Sequence, residues 1–264
     1  FPNRTVVVSR TLQNYYATEL NRSTTYIPNG VTLPGQQATS VLSQFGLVPD
    51  EYILFLSRLV PEKGCHTLIQ AFRALDTQKK LVIVGAHSHS EEYAKSLRRL
   101  AEGDDRIIFT GPLYEDDKDT IYRGAYFFVL PSTIEGMALV LLEAMSFGKC
   151  CLCSDIDENL EVISPRPSSS TIDDPYGFRF ATENVSDLTQ RMASLIRDPA
   201  AVQRVGQRAY QRVATEFKEA VRHAHGLQIE HLLPDCSDPA FYPVARRNYG
   251  TSGIPASPSV GGTG

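Results

Sequence analysis

The sequence predicts an α/β protein built on a doubly wound parallel sheet, with extra helices at its carboxyl end. Three observations carry this. Strand-length apolar runs alternate with helix-length segments along most of the chain, the pattern of parallel strands joined by right-handed crossovers. The run over 125–130 is unbroken and apolar, as a strand buried on both faces should be. Glycine or proline stands at or near most unit boundaries, where the chain must turn. With 264 residues and 42% hydrophobic content, the chain can bury one substantial core or at most two small ones.

Taken in order, residues 5–8 form a strand and Ser9 caps a helix to about residue 20. A short strand over 24–27 leads into the Pro28-Asn29-Gly30 turn. A helix near 39–45 precedes the first long strand, 52–56, which is followed by a helix over 64–75. The next units pair strand 80–84 with helix 90–101, and strand 106–109 with a helix near 117–122. Strand 125–130 is followed by an apolar helix that stops at Gly148, and strand 150–153 by a helix over 158–162. Beyond Ile163 the pattern weakens: 164–174 is rich in Pro and Ser and reads as a surface loop. A short strand around 176–180 and helices over 184–196, 199–216 and 219–233 follow. From Pro234 onward Pro, Gly and Ser dominate, and an irregular tail is expected over 234–264.

Composition excludes several classes. The net charge of −4 and the scattered basic residues leave no stripe for nucleic acid. No apolar run approaches the roughly 18 residues of a membrane span, and the amino end carries no signal-peptide pattern. The five cysteines fall as Cys65, the Cys150/Cys151/Cys153 cluster and Cys236, which is no disulfide framework, so a cytoplasmic location is expected. The cluster would need a fourth ligand to hold a metal. Within a buried strand it reads instead as small apolar packing.

Chemistry concentrates in Pro131-Ser132-Thr133-Ile134-Glu135-Gly136-Met137-Ala138-Leu139-Val140-Leu141-Leu142-Glu143-Ala144-Met145. A loop between a strand's carboxyl end and a helix's amino end is where open α/β sheets bind anionic ligands, because free N–H groups and the helix dipole point there. Glu135 in the loop and Glu143 within the helix add two carboxylates beside that anion site. Sugar hydroxyls account for them, since a carboxylate accepts vicinal O–H groups and a nucleotide sugar offers hydroxyls beside phosphates. Arg58 and Lys63, at the exit of strand 52–56, could neutralise a diphosphate; otherwise they are solvated surface charges. Glu143 has apolar neighbours that make an unpartnered charge costly. Glu135 could instead be a helix cap. His87 and His89 follow a strand's carboxyl end, where a catalytic role stands beside the commoner reading as surface residues of a polar loop, and Asn29-Gly30 is either a plain turn or a direct ligand contact.

The Glu135/Glu143 pair, separated by seven residues and followed by Ala-Met, resembles the paired-glutamate motif of retaining glycosyltransferases of the two-domain GT-B fold. The likeness is to the group 1 (family 4) enzymes, which include sucrose synthases and phosphatidylinositol mannosyltransferases. Ser57-Arg58-Leu59-Val60-Pro61-Glu62-Lys63-Gly64 resembles the family's phosphate motif, and Tyr26-Ile27-Pro28-Asn29-Gly30-Val31 its linker signature. Leu81-Val82-Ile83-Val84-Gly85 and Ile107-Ile108-Phe109-Thr110-Gly111 resemble two further strand-to-loop landmarks, in the family's order.

The resemblance implies a Rossmann-like donor domain and assigns roles. Arg58 and Lys63 would hold the diphosphate and stabilise it as it leaves. Glu135 would meet hydroxyls of the transferred sugar, and Glu143 the ribose. The N–H groups of Gly136, Met137, Ala138 and Leu139 would face the β-phosphate, and the backbone of Leu113 would clamp the base. The implied donor is a nucleoside-diphosphate sugar, a UDP-sugar being expected, with no metal and no further cofactor. Met137-Ala138 replaces the aromatic-glycine pair of many family members, which bears on the shape of the sugar pocket, and Ser57 in place of a usual glycine is a smaller departure.

The chain opens at Phe1 without methionine, and the likeness begins at what would be the last strand of a first, acceptor-binding domain. The expected division is residues 1–24 as the end of that domain and the linker, 25–233 as the nucleotide-sugar domain, and 234–264 as tail. Such a donor half would bind nucleotide without turning over alone, and membrane contact would belong to the full-length enzyme. Two alternatives stand: a sugar-nucleotide epimerase of the same fold, whose signatures differ, and a non-catalytic nucleotide-sugar-binding or interaction module.

Overall fold

The computed structural model describes residues 5–35, 39–86, 91–164 and 176–218. Its strands are β1 (Val6–Val7), β2 (Thr25–Tyr26), β3 (Tyr52–Leu56), β4 (Lys80–Val84), β5 (Ile107–Gly111), β6 (Phe127–Leu130), β7 (Cys151–Ser154) and β8 (Phe178–Phe180). Among the described residues the last six of these form one parallel sheet, ordered β5-β4-β3-β6-β7-β8. This is the doubly wound α/β arrangement predicted from the sequence. The chain steps outward from β3 to β5, then returns to lay β6 on the other side of β3, with Ile53 opposite Phe127. That reversal opens a crevice at the carboxyl ends of β3 and β6.

Alternation along the strands makes two cores. Leu54, Val82, Phe128 and Leu130 face one side with Ile121 and Leu141, while Ile53, Phe55, Ile83, Phe127 and Val129 face the other with Leu68, Phe72 and Leu188. The covering helices are α2 (Val41–Gln44), α3 (Cys65–Arg73), α4 (Glu91–Ala101), α5 (Glu115–Gly124), α6 (Leu139–Ser146), α7 (Asp157–Ile163), α8 (Val185–Arg197) and α9 (Pro199–Arg212). Helices α6 and α9 meet at two glycines: a Cβ on Gly206 would stand 2.2 Å from the Gly148 carbonyl oxygen. Gly206→Ala is therefore expected to force the helices apart, at about 1–3 kcal/mol. The urea midpoint should fall with an unchanged slope.

Several boundaries shift by one or two residues from expectation, strand 125–130 beginning only at Phe127, and two of the differences have a local cause. Helix α5 begins at Glu115, two residues early, because Glu115, Asp116 and Asp117 fill its first turn and complement the helix dipole. Helix α9 gives way at Val213–Phe217 to a π-helical turn. There the Thr215 hydroxyl donates to the carbonyls of Gln211 (2.9 Å) and Arg212 (3.2 Å), a side-chain bond that loosens helical pairing.

At the amino end, β1 and β2 pair in a separate parallel ribbon, so the pairing crosses the expected division at residue 24. Ser9 caps α1 (Arg10–Thr18) by accepting from Leu12 N–H at 3.2 Å. Glu161 of α7 fastens this ribbon: it accepts from Arg10 N–H at 2.8 Å and from the Tyr26 hydroxyl at 2.9 Å. Partial burial, then that bond, hold the Tyr26 hydroxyl well above its ordinary pKa.

Cys65, Cys150, Cys151 and Cys153 are free and buried. Burial pushes the Cys150 thiol up to about 12, so it packs as a neutral apolar group. Cys236, His87, His89, the helix expected over 219–233, the tail and most of the loop expected over 164–174 lie outside the described residues. Among the described residues no helix is long and apolar enough to cross a membrane.

Candidate functional site

The exits of β3 and β4 run unusually close. Ser57 N–H donates to Val84 O at 3.1 Å and Leu59 N–H to Ala86 O at 3.0 Å, extending the pairing beyond the strands. A Cβ on Gly85 would lie 1.9 Å from the Ser57 carbonyl oxygen, so only glycine permits this approach. The chain then makes a 3₁₀ turn, Pro61–Lys63, and passes through Gly64 at φ +66°. A Cβ there would lie 2.0 Å from the Pro131 carbonyl oxygen. Thr133 N–H donates to Glu62 O at 2.9 Å and ties this turn to the loop after β6.

The result brings Lys63 onto Glu135. Lys63 Nζ is 2.6 Å from Glu135 Oε1, with the side chains only 13% and 7% exposed. Below them, Ser154 donates through its hydroxyl to the Ser132 carbonyl, and Asn159 Nδ2 donates to Ser154 O (3.2 Å) and Oγ (3.0 Å). These buried bonds fix the end of β6 against β7, and with it the start of the glutamate loop.

The loop stays open until Ala138, which precedes α6 at φ −70° and ψ 108° and offers no side-chain cap. Among the described residues, the backbone N–H groups of Gly136, Met137, Ala138, Leu139 and Val140 donate to no protein acceptor. Such N–H groups, with the helix dipole behind them, attract anions. Asn29 Nδ2 donates to the Met137 carbonyl at 2.9 Å and pins the loop to the turn after β2. Its sequence reading as a plain turn missed this, because the partner lies 108 residues away.

A cleft of about 500 Å³ gathers Arg58, Lys63, Leu113, Glu135, Met137, Ala138 and Leu139. The Arg58 guanidinium is exposed and, among the described residues, pairs with no side chain. Gly136 lies outside the lining; a Cβ on it would approach Val8 Cγ2 at 3.5 Å. Met137 and Ala138, the departures from the family pattern, are buried against the core yet line the cleft. An exposed Tyr114 stands at its edge.

Glu143 is not in that cleft. It lines an adjoining cavity of about 460 Å³ formed with residues 30–35, Lys118 and Phe147, and Leu139 borders both spaces. Lys118 Nζ is 2.7 Å from Glu143 Oε1, and the Tyr122 hydroxyl donates to Oε2 at 3.0 Å. Burial, then the Glu143 charge, push the Tyr122 hydroxyl well above its ordinary pKa, so it is a neutral donor. Neither residue was singled out from the sequence. Their spacing of four residues on an amphipathic helix, one turn apart, was the available signal.

Fold and site together define a Rossmann-like α/β protein with a cleft lined by Arg58, Lys63 and the start of α6 at its topological switch point. Residues 44–212 match the family Glycosyl transferases group 1, and the chain belongs to that family. It is 38% identical over 122 residues to the serotype-specific mannosyltransferase WbdA of Escherichia coli, a match covering 44% of this chain and 15% of that protein. Anabaena HepE, solved in complex with UDP and glucose, superposes with a TM-score of 0.76 at 20% identity, over 88% of this chain and 64% of that one. The C-terminal domain of a group 1 glycosyltransferase (LpcC) from Francisella tularensis superposes with a TM-score of 0.58 at 20% identity, over 70% of this chain and 95% of that one. The likeness to these two structures is one of fold.

Proposed function

We propose that this chain is the donor-binding half of a retaining glycosyltransferase and holds a nucleoside-diphosphate sugar, with a UDP-sugar as the expected donor. The observation that carries this reading is the convergence of Arg58, Lys63, Glu135 and the residues with unpaired N–H groups from Met137 to Val140 on one cleft, beside the cavity of Glu143. Two adjoining spaces of about 500 and 460 Å³ suit a two-part ligand. The diphosphate would lie against Arg58, Lys63 and the start of α6. Its ribose would reach Glu143 and its base the backbone of Leu113, with the sugar on Glu135. The UDP and glucose bound by HepE support the donor class.

In the transfer, the bond from the anomeric carbon to the β-phosphate oxygen breaks, and the electron pair leaves on the phosphate. Arg58, Lys63 and the N–H groups would stabilise that charge, devices each worth about 10²–10³ in rate. The acceptor hydroxyl would add from the same face and give its proton to the leaving phosphate oxygen. Among the described residues, the cleft shows no carboxylate free of a cation partner to act as nucleophile, since Lys63 holds Glu135. The acceptor would be positioned by a preceding domain, with residues 1–24 as its end, 25–233 as the donor domain and 234–264 as tail. The buried free thiols accord with a reducing, cytoplasmic setting.

Calorimetric titration with UDP, GDP and ADP tests the reading. One nucleotide should bind best, and Arg58→Ala should weaken it at least tenfold through the lost charge-assisted contact. Absence of binding by all three would favour the interaction-module alternative.

A further inference from the structure

Glu143 is held by two donors from one helix. Lys118 Nζ takes Oε1 at 2.7 Å and the Tyr122 hydroxyl takes Oε2 at 3.0 Å. An ionised carboxylate has about four acceptor positions. One on each oxygen is thus occupied by protein, and one on each is left for a ligand. That remaining pair is the complement of two neighbouring hydroxyls. The donors are themselves fixed. The Tyr122 ring stacks on Phe147 at 5.4 Å and 13°, and it packs against Phe128 at 5.9 Å. Its oxygen also lies 3.3 Å from the Val140 carbonyl, but its single proton serves the nearer carboxylate. Lys118 stands one turn before it on α5 and lines the same cavity as Glu143.

We propose that Tyr122 and Lys118 are positioning residues that aim Glu143 at the 2′- and 3′-hydroxyls of the donor's ribose, and so set this chain's preference for ribonucleotides over 2′-deoxyribonucleotides. This rests on the reading that Glu143 receives the ribose. Without Tyr122 the carboxylate can rotate, and one acceptor position is no longer committed. Without Lys118 the charge loses its counterion and its anchor on Oε1. Either loss weakens recognition of the diol while leaving the phosphate cleft, which neither residue lines, unaltered.

The test compares dissociation constants for UDP and 2′-deoxy-UDP in the unaltered chain, Tyr122→Phe, Lys118→Met and Glu143→Gln. The unaltered chain should prefer UDP by tenfold or more, the scale of a hydrogen bond to a charged group. Tyr122→Phe and Lys118→Met should each shrink that preference at least threefold, chiefly by weakening UDP. A merely structural role would lower both affinities alike and leave the ratio unmoved. Each residue is judged on its own ratio, and Lys118→Met remains informative if Tyr122→Phe folds poorly. A ratio within twofold of the unaltered one for a variant, while Glu143→Gln abolishes the preference, overturns that residue's role and leaves the ribose reading intact. An unchanged ratio in Glu143→Gln removes the ribose reading, and the proposal with it.

Discussion

Lys63→Met is expected to weaken nucleoside diphosphate binding by about 10- to 100-fold, the loss of a charge-assisted contact to phosphate. It should also destabilise the fold, because Lys63 is the cation on Glu135, whose side chain is 7% exposed. Removing one member of a mostly buried pair strands the other's charge, at a cost of about 3 kcal/mol. The two effects are separable. In Lys63→Met/Glu135→Gln the orphan charge is gone, so chemical denaturation should show most of the stability regained. Nucleotide affinity should stay low, because the phosphate cation is still missing. A double variant that regains both would mean that Lys63 serves only to neutralise Glu135.

The second large effect is at Gly64. Its φ of +66° and the 2.0 Å between an added Cβ and the Pro131 carbonyl oxygen combine two penalties. The left-handed backbone costs about 1–2 kcal/mol for a residue with a side chain, and the clash with backbone adds about 1–3 kcal/mol more. Gly64→Ala should therefore lower stability by about 2–5 kcal/mol and Tm by roughly 4–20 °C. Gly103 supplies the control, having φ +79° with nothing within 4 Å of an added Cβ. Gly103→Ala should show the conformational penalty alone, about 1–2 kcal/mol. Because Gly64 joins the Lys63 turn to the strand end before Glu135, its variant should also lose nucleotide affinity, which Gly103→Ala should not.

The central strands were legible because they are buried on both faces and read as unbroken apolar runs, 52–56 and 127–130 among them. The start of α5 was misplaced because its three acidic residues resemble a loop until their position at a helix amino end is known. In the candidate site, the cation motif and the glutamates could be identified from spacing and resemblance. How they pair could not. Lys63 and Glu135 meet across 72 positions, and Asn29 and Met137 across 108, distances over which local pattern carries no register. Eight positions apart, the glutamates would stand about two turns from one another on a single helix. Since α6 begins only at Leu139, Glu135 belongs to the loop and Glu143 to the helix, and they face different cavities.

Nuclear magnetic resonance of the amide-labelled chain during titration with UDP tests the proposed donor site most directly. The N–H groups of Gly136, Met137, Ala138, Leu139 and Val140, unpaired among the described residues, should shift together, accompanied by Leu113 and by Asn29 Nδ2. Arg58→Ala should weaken the response without moving it elsewhere. Shifts confined to another surface, such as the turn over Gly103, Asp104 and Asp105, with those five amides unmoved, would contradict a donor held at the start of α6.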